Sequence, residues 1–303
     1  MILALGTPHV AVATCIPIAM GRDVPTALIL SGGGTKGAYE AGVVAALAEG
    51  GLPIRLVAGS SAGALSAAMV VAGRADRLEA TWRAITRERV YSLRAPTFFA
   101  GLLPGWLTLR ALGNATSLLD PRPLRELITA SVELERIRSS PIGLLVTTTD
   151  IVRREPRVFD NQSVTVDALM AAAAVPGLFP AVIVDGALLV DGGLTGRAPV
   201  LEALDAAPVG RALVVLSYAP EERGAPATTI RRSMEEAFET AMLHQIRRDV
   251  ELARLKHPTT DVQLLTPSAP LRLRPLEFDS EGIARALDLG RADALTCLRA
   301  LDD

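Results

Sequence analysis

Ile54-Arg55-Leu56-Val57-Ala58-Gly59-Ser60-Ser61-Ala62-Gly63-Ala64-Leu65 is the stretch whose reading decides the fold. The apolar run Ile54 to Ala58 has the length and branching of a buried strand, and the small residues from Ala62 to Ala72 read as a helix. Between them lies G-x-S-x-G, Gly59 to Gly63, in which a sharp strand-to-helix turn strains the central residue and pushes its side chain out at the sheet's end. Ser61 is therefore the candidate nucleophile.

Working outward, the same alternation precedes the elbow: Ala27 to Leu30 reads as a strand and Gly37 to Glu49 as a helix, giving a βαβα order. Short, wholly apolar strands joined by helices form a parallel sheet covered on both faces, with functional groups at the strands' carboxyl ends. The expected class is α/β, a three-layer α/β/α domain with a mainly parallel central sheet. Downstream, helices are expected over Asp76 to Arg89, Leu124 to Ser131, Val166 to Ala174, Glu235 to Leu255 and Ser280 to Leu301, the last with Ser280 as N-cap. Further strands are expected at Ile142 to Thr149, Arg157 to Phe159, Ala212 to Ser217 and Val262 to Leu265, with a hairpin formed by Val182 to Val184 and Leu188 to Val190 around Asp185-Gly186. Residues 1–24 read as an N-terminal extension and 25–303 as one domain, in which 95–119, rich in Pro, Gly and large apolar side chains, forms a lid or cap.

Composition excludes several function classes. Half of the 303 residues are hydrophobic, enough for a substantial core, and 31 basic against 33 acidic residues leave a net charge of −2 with no basic field for nucleic acid. The two cysteines, Cys15 and Cys297, give neither a disulfide framework nor metal-ligand spacing, which suits a reducing compartment and a cytoplasmic protein, at most peripheral at a membrane. No apolar run reaches the ~18 to 20 residues of a spanning helix.

Two further motifs bear on the chemistry. Ser31-Gly32-Gly33-Gly34-Thr35-Lys36-Gly37 follows the first strand and opens the first helix, so its amides favour negative charge. A phosphate cradle and an oxyanion hole both fit such a loop. It is neither a Walker motif nor a dinucleotide fingerprint, and the elbow on the next strand favours the oxyanion hole. A serine needs a base. His9, His244 and His257 have no motif around them, whereas Asp191 ends a strand and is followed by Gly192-Gly193. A Ser61-Asp191 dyad is the reading preferred over a plain Asp-Gly-Gly turn.

The three motifs in this order resemble the patatin-like phospholipase family: Gly32 to Gly37, Gly59-Ser60-Ser61-Ala62-Gly63 and Asp191-Gly192-Gly193, with Ala38-Tyr39-Glu40-Ala41-Gly42-Val43 and Pro176-Gly177-Leu178-Phe179-Pro180 between them. The resemblance implies an α/β/α fold, hydrolysis of lipid acyl esters through an acyl-enzyme, a phospholipid or lysophospholipid substrate, and no metal or cofactor. By position Ser61 is then the nucleophile, Asp191 the base, Gly32, Gly33 and Gly34 the oxyanion donors, and Gly37, Gly59, Gly63, Gly192 and Gly193 shape the motifs. One departure stands out: the family often carries Asn and Pro after Asp-Gly-Gly, whereas Arg197 takes the asparagine's place in Leu194-Thr195-Gly196-Arg197-Ala198-Pro199. Its charge can meet a lipid phosphate or lower the pKa of Asp191. Lys36 is a candidate headgroup contact or a solvent-facing side chain, and Phe98, Phe99 and Trp106 can line an acyl pocket or lie on a bilayer. An acyltransferase on the same dyad, a Ser-Asp-His hydrolase and a lipid-binding module without turnover remain the alternatives.

Overall fold

The computed structural model describes residue 21 and residues 23–94, 116–219 and 228–301. Most of the expected extension, nearly all of the cap segment, and Phe98, Phe99 and Trp106 lie outside the described residues.

The strands are β1 (Thr26–Leu30), β2 (Ile54–Ser60), β3 (Ser92–Leu93), β4 (Leu119–Asp120), β5 (Gly143–Asp150), β6 (Glu155–Phe159), β7 (Val182–Val184), β8 (Ala187–Asp191), β9 (Arg211–Val215) and β10 (Asp261–Leu265). The helices are α1 (Gly37–Glu49), α2 (Ala62–Val71), α3 (Ala75–Arg83), α4 (Arg87–Val90), α5 (Arg122–Ser131), α6 (Leu134–Arg138), α7 (Val166–Ala172), α8 (Val200–Ala206), α9 (Ile230–Lys256) and α10 (Ser280–Ala300). The central sheet runs β10-β9-β1-β2-β5-β8-β7, with β6 also paired to β5. Strands β10, β9, β1, β2 and β5 are mutually parallel; β6, β7 and β8 supply the antiparallel pairs. Two apolar clusters, one on each face, bury the sheet: the larger includes α1, α2, α7 and α10, the smaller α8 and α9. This is the expected three-layer α/β/α architecture.

The register places the site. Strand β2 pairs with β5 up to Ser60↔Thr147, and β8 takes over with Asp191↔Thr148, while β6 covers Val146 to Asp150. Because β6 overlaps both, β2 and β8 share the other edge of β5. They run in opposite directions, so their carboxyl ends meet head to head, delivering Ser61 and Asp191 to one point.

Several boundaries differ from the sequence reading. The helix expected over Asp76 to Arg89 breaks into α3 and α4, because Ala84 ends the first turn series and the β-branched Thr86 lies in extended backbone (φ −132°, ψ 164°). Strand β6 begins earlier, at Glu155; Pro156 is tolerated there because β6 is an edge strand. The α10 cap is Asp279, not Ser280: its carboxylate accepts the Gly282 amide at 2.8 Å. Among the described residues, no helix is long and apolar enough to cross a membrane.

Candidate functional site

Ser61 is the residue between β2 and α2 and carries the strain expected of an elbow, φ 54° and ψ −131°. A non-glycine residue keeps such a conformation only when its surroundings enforce it. Here they do so by close packing: a side chain on Gly59 would run into the carbonyl of Gly63, and one on Gly63 would reach within 2.6 Å of the Leu30 carbonyl. The hydroxyl faces a cavity of about 1000 Å3 whose wall includes Gly33, Gly34, Lys36, Asp191, Gly193 and Arg197. Its remainder is mainly apolar, built by side chains such as Leu65, Met69, Trp82, Leu127, Phe179 and Phe278. Gly37 lets the indole of Trp82 approach, since a Cβ there would sit 3.1 Å from the ring.

Asp191 is 3% exposed. Its Oδ1 accepts the Gly193 amide at 2.8 Å, while Oδ2 is buried without a full-geometry hydrogen-bond partner among the described residues. Burial pushes its pKa up to about 6; the Gly193 amide, the Ser61 hydroxyl and the charge of Arg197 pull back towards the ionised form. The Ser61 hydroxyl thus lies close enough to act on the carboxyl. The loop behind Asp191 is pinned without an asparagine: Thr149 donates to the Asp191 carbonyl at 3.0 Å and pairs with Thr195, whose carbonyl accepts from Gln245. Gly192 packs on the Thr147 carbonyl and the Ser60 hydroxyl, where a side chain has no room.

The glycine loop holds φ 70°, 116° and 62° at Gly32, Gly33 and Gly34, three consecutive left-handed residues. It lies against the elbow, since a Cβ on Gly32 would stand 3.0 Å from that of Ser61. The Gly32 amide, however, donates to Glu40 Oε1 at 2.8 Å, so it is not a free oxyanion donor. Gly33 and Gly34, whose amides have no acceptor among the described residues, remain. Glu40 was quoted in the sequence only as part of a motif; it is fully buried beneath the loop, also accepts from the Ser31 hydroxyl at 2.8 Å, and burial pushes its pKa up to about 8.

Arg197 is 2% exposed and forms part of the cavity wall. Its guanidinium pairs with Glu239 at 3.0 Å and donates to the Ser217 hydroxyl at 3.4 Å, and Ser217 in turn donates to the Gly32 carbonyl. The charge of Arg197 is the weakest of the three influences that pull Asp191 towards the ionised form against burial. Lys36 is buried in the cavity wall, which overturns the solvent-facing reading. No histidine lies in that wall among the described residues; His257 instead contacts Asp205 at 3.1 Å, at the end of α9. Nor do His, Cys, Asp and Glu side chains gather into a metal-binding group there.

The family model for patatin-like phospholipase matches residues 28–204. An uncharacterized NTE family protein of Mycobacterium tuberculosis is 30% identical over 202 residues, 66% of this chain and 50% of that protein. Lysophospholipase nte1 of Aspergillus oryzae is 28% identical over 174 residues, 57% of this chain and 10% of that one. Among solved structures, VipD from Legionella pneumophila aligns with a TM-score of 0.49 and 13% identity, over 91% of this chain and 67% of that chain. The chain spans half the length, or less, of these curated relatives.

Proposed function

The chain belongs to the patatin-like phospholipase family, and from that premise we propose that it is a serine hydrolase of lipid acyl esters, of the phospholipase A or lysophospholipase type, working through Ser61 and Asp191. The observation that carries the reading is the head-to-head meeting of β2 and β8, which sets a strained serine beside a buried carboxylate at an apolar cavity. Relatives named as phospholipases and a lysophospholipase favour phospholipid or lysophospholipid substrates.

In this reading an acyl chain occupies the apolar part of the cavity and its ester carbonyl lies against Ser61. Asp191 takes the hydroxyl proton as Oγ attacks the carbonyl carbon. Negative charge develops on the carbonyl oxygen, and the amides of Gly33 and Gly34, in the loop that leads into α1, stabilise it. Collapse breaks the ester bond, the alcohol leaves with the proton from Asp191, and the acyl group stays on Ser61. Water then gives a proton to Asp191 as it attacks the acyl carbon; collapse breaks the bond to Ser61 Oγ, which takes the proton back from Asp191, and the fatty acid leaves. A pKa of about 6 suits a base working near neutral pH.

A fluorophosphonate probe tests the nucleophile. Labelling of the wild type but not of Ser61→Ala is expected, together with fatty-acid release from lysophospholipid that falls about a million-fold in the variant. An unlabelled wild type that binds lipid without turnover would favour a lipid-binding module.

A further inference from the structure

We propose that Ser217, oriented by Arg197, is a positioning residue that locks the Gly32–Gly33 peptide so that the Gly33 amide faces the cavity as an oxyanion donor. The inference rests on the hydrolase reading above and concerns how its oxyanion hole is held.

A trans peptide points its carbonyl and the following amide in opposite directions. The carbonyl of Gly32 accepts from the Ser217 hydroxyl, so the Gly33 amide must turn away from Ser217. Gly33 belongs to the cavity wall and Ser217 does not, which agrees with an amide turned from Ser217 towards the cavity. Nothing in the loop itself holds this arrangement, because glycine at φ 70° and 116° can rotate through alternatives barred to other residues. A flipped peptide would place a carbonyl oxygen where negative charge develops.

The direction of the hydrogen bonds is also determined. Arginine only donates, so the 3.4 Å contact from Arg197 Nη2 uses a lone pair of Ser217 Oγ and leaves the hydroxyl proton for Gly32. Arg197 is fixed in turn by Glu239 at 3.0 Å. The Ser217 amide donates at 3.3 Å to the Ser31 hydroxyl, which donates to Glu40, the acceptor of the preceding amide, that of Gly32. Two successive peptides are thereby held from beneath, one by Glu40 and one by Ser217. The space is fully used: a Cβ on Gly33 would lie 2.6 Å from both Arg197 Nη2 and Ser217 Oγ. This gives the arginine in the usual asparagine position a task that asparagine's shorter side chain would perform differently.

Ser217→Ala tests the assignment. Expected is a fall in kcat of about 100-fold, the scale of losing one oxyanion donor, with KM changed less than about two-fold and an unaltered folded state by circular dichroism. Arg197→Met, which leaves the serine to hold the carbonyl alone, is expected to give a smaller loss, about ten-fold. Equal kcat in wild type and Ser217→Ala would overturn the proposal while leaving the hydrolase reading intact. A crystal structure of Ser217→Ala without ligand decides the matter independently of activity: a turned Gly32–Gly33 peptide supports the lock, and an unchanged one refutes it. A wild type that fails to react with fluorophosphonate would sink the hydrolase reading instead, and the crystal structure would still judge the peptide lock.

Discussion

Two carboxylates lie wholly buried at this site, and they are held differently. Glu40, beneath the glycine loop, receives two donors on Oε1, the Ser31 hydroxyl and the Gly32 amide, and burial raises its pKa to about 8. Asp191, at the end of β8, receives one amide on Oδ1, lies beside the Ser61 hydroxyl, and has a pKa of about 6. Near neutral pH the first is mainly protonated and serves through the shape of its hydrogen bonds; the second is mainly ionised and is available to take a proton. Burial alone therefore does not make a base. Each keeps a second oxygen without a hydrogen-bond partner among the described residues, so what separates the two is the Ser61 hydroxyl beside Asp191.

Amide substitution breaks this comparison most sharply. Asp191→Asn keeps the size and the Gly193 contact but removes the basic oxygen, and fatty-acid release is expected to fall about a thousand-fold or more. Glu40→Gln retains an acceptor for Ser31 and Gly32 and is expected to hold activity within about three-fold, whereas Glu40→Leu, which strands both donors, should lose about ten- to a hundred-fold. Equal losses in Asp191→Asn and Glu40→Gln would erase the distinction.

The smallest effect is on stability and carries the opposite sign. A folded pKa of about 6 against an ordinary 3.8 means that Asp191 binds its proton more tightly in the folded state. Its contribution to stability is therefore fully present below about pH 4 and lost as pH rises through about 6. Asp191→Asn should then be more stable than the wild type at pH 8, by up to about 3 kcal/mol, with the difference vanishing in acid. Denaturant unfolding at both pH values checks the sign.

Much of the architecture was legible in the chain because short apolar strands alternate with helices and because the elbow, glycine loop and Asp-Gly-Gly punctuate strand ends. The parallel core, the hairpin and the positions of Ser61 and Asp191 follow from local patterns of that kind. The meeting of β2 and β8 does not, since it depends on how far each runs along β5, a matter of register between strands 130 residues apart. Glu40 was hidden for a similar reason: a glutamate in the first turn of a helix ordinarily faces water, and only the loop folded over α1 buries it. Arg197 reads as a departure from a motif, and its partners Glu239 and Ser217 lie on separate later segments. The break between α3 and α4 and the Asp279 cap are decided by one or two residues, below the resolution of periodicity.

The central claim is that Asp191 is the base that activates Ser61. The most direct test is the rate of fluorophosphonate labelling at Ser61 as a function of pH. In the wild type this rate should rise with pH through an inflection at about 6, as Asp191 ionises, and level off above it; in Asp191→Asn it should be low and flat. A wild-type inflection that survives unchanged in Asp191→Asn would contradict the account.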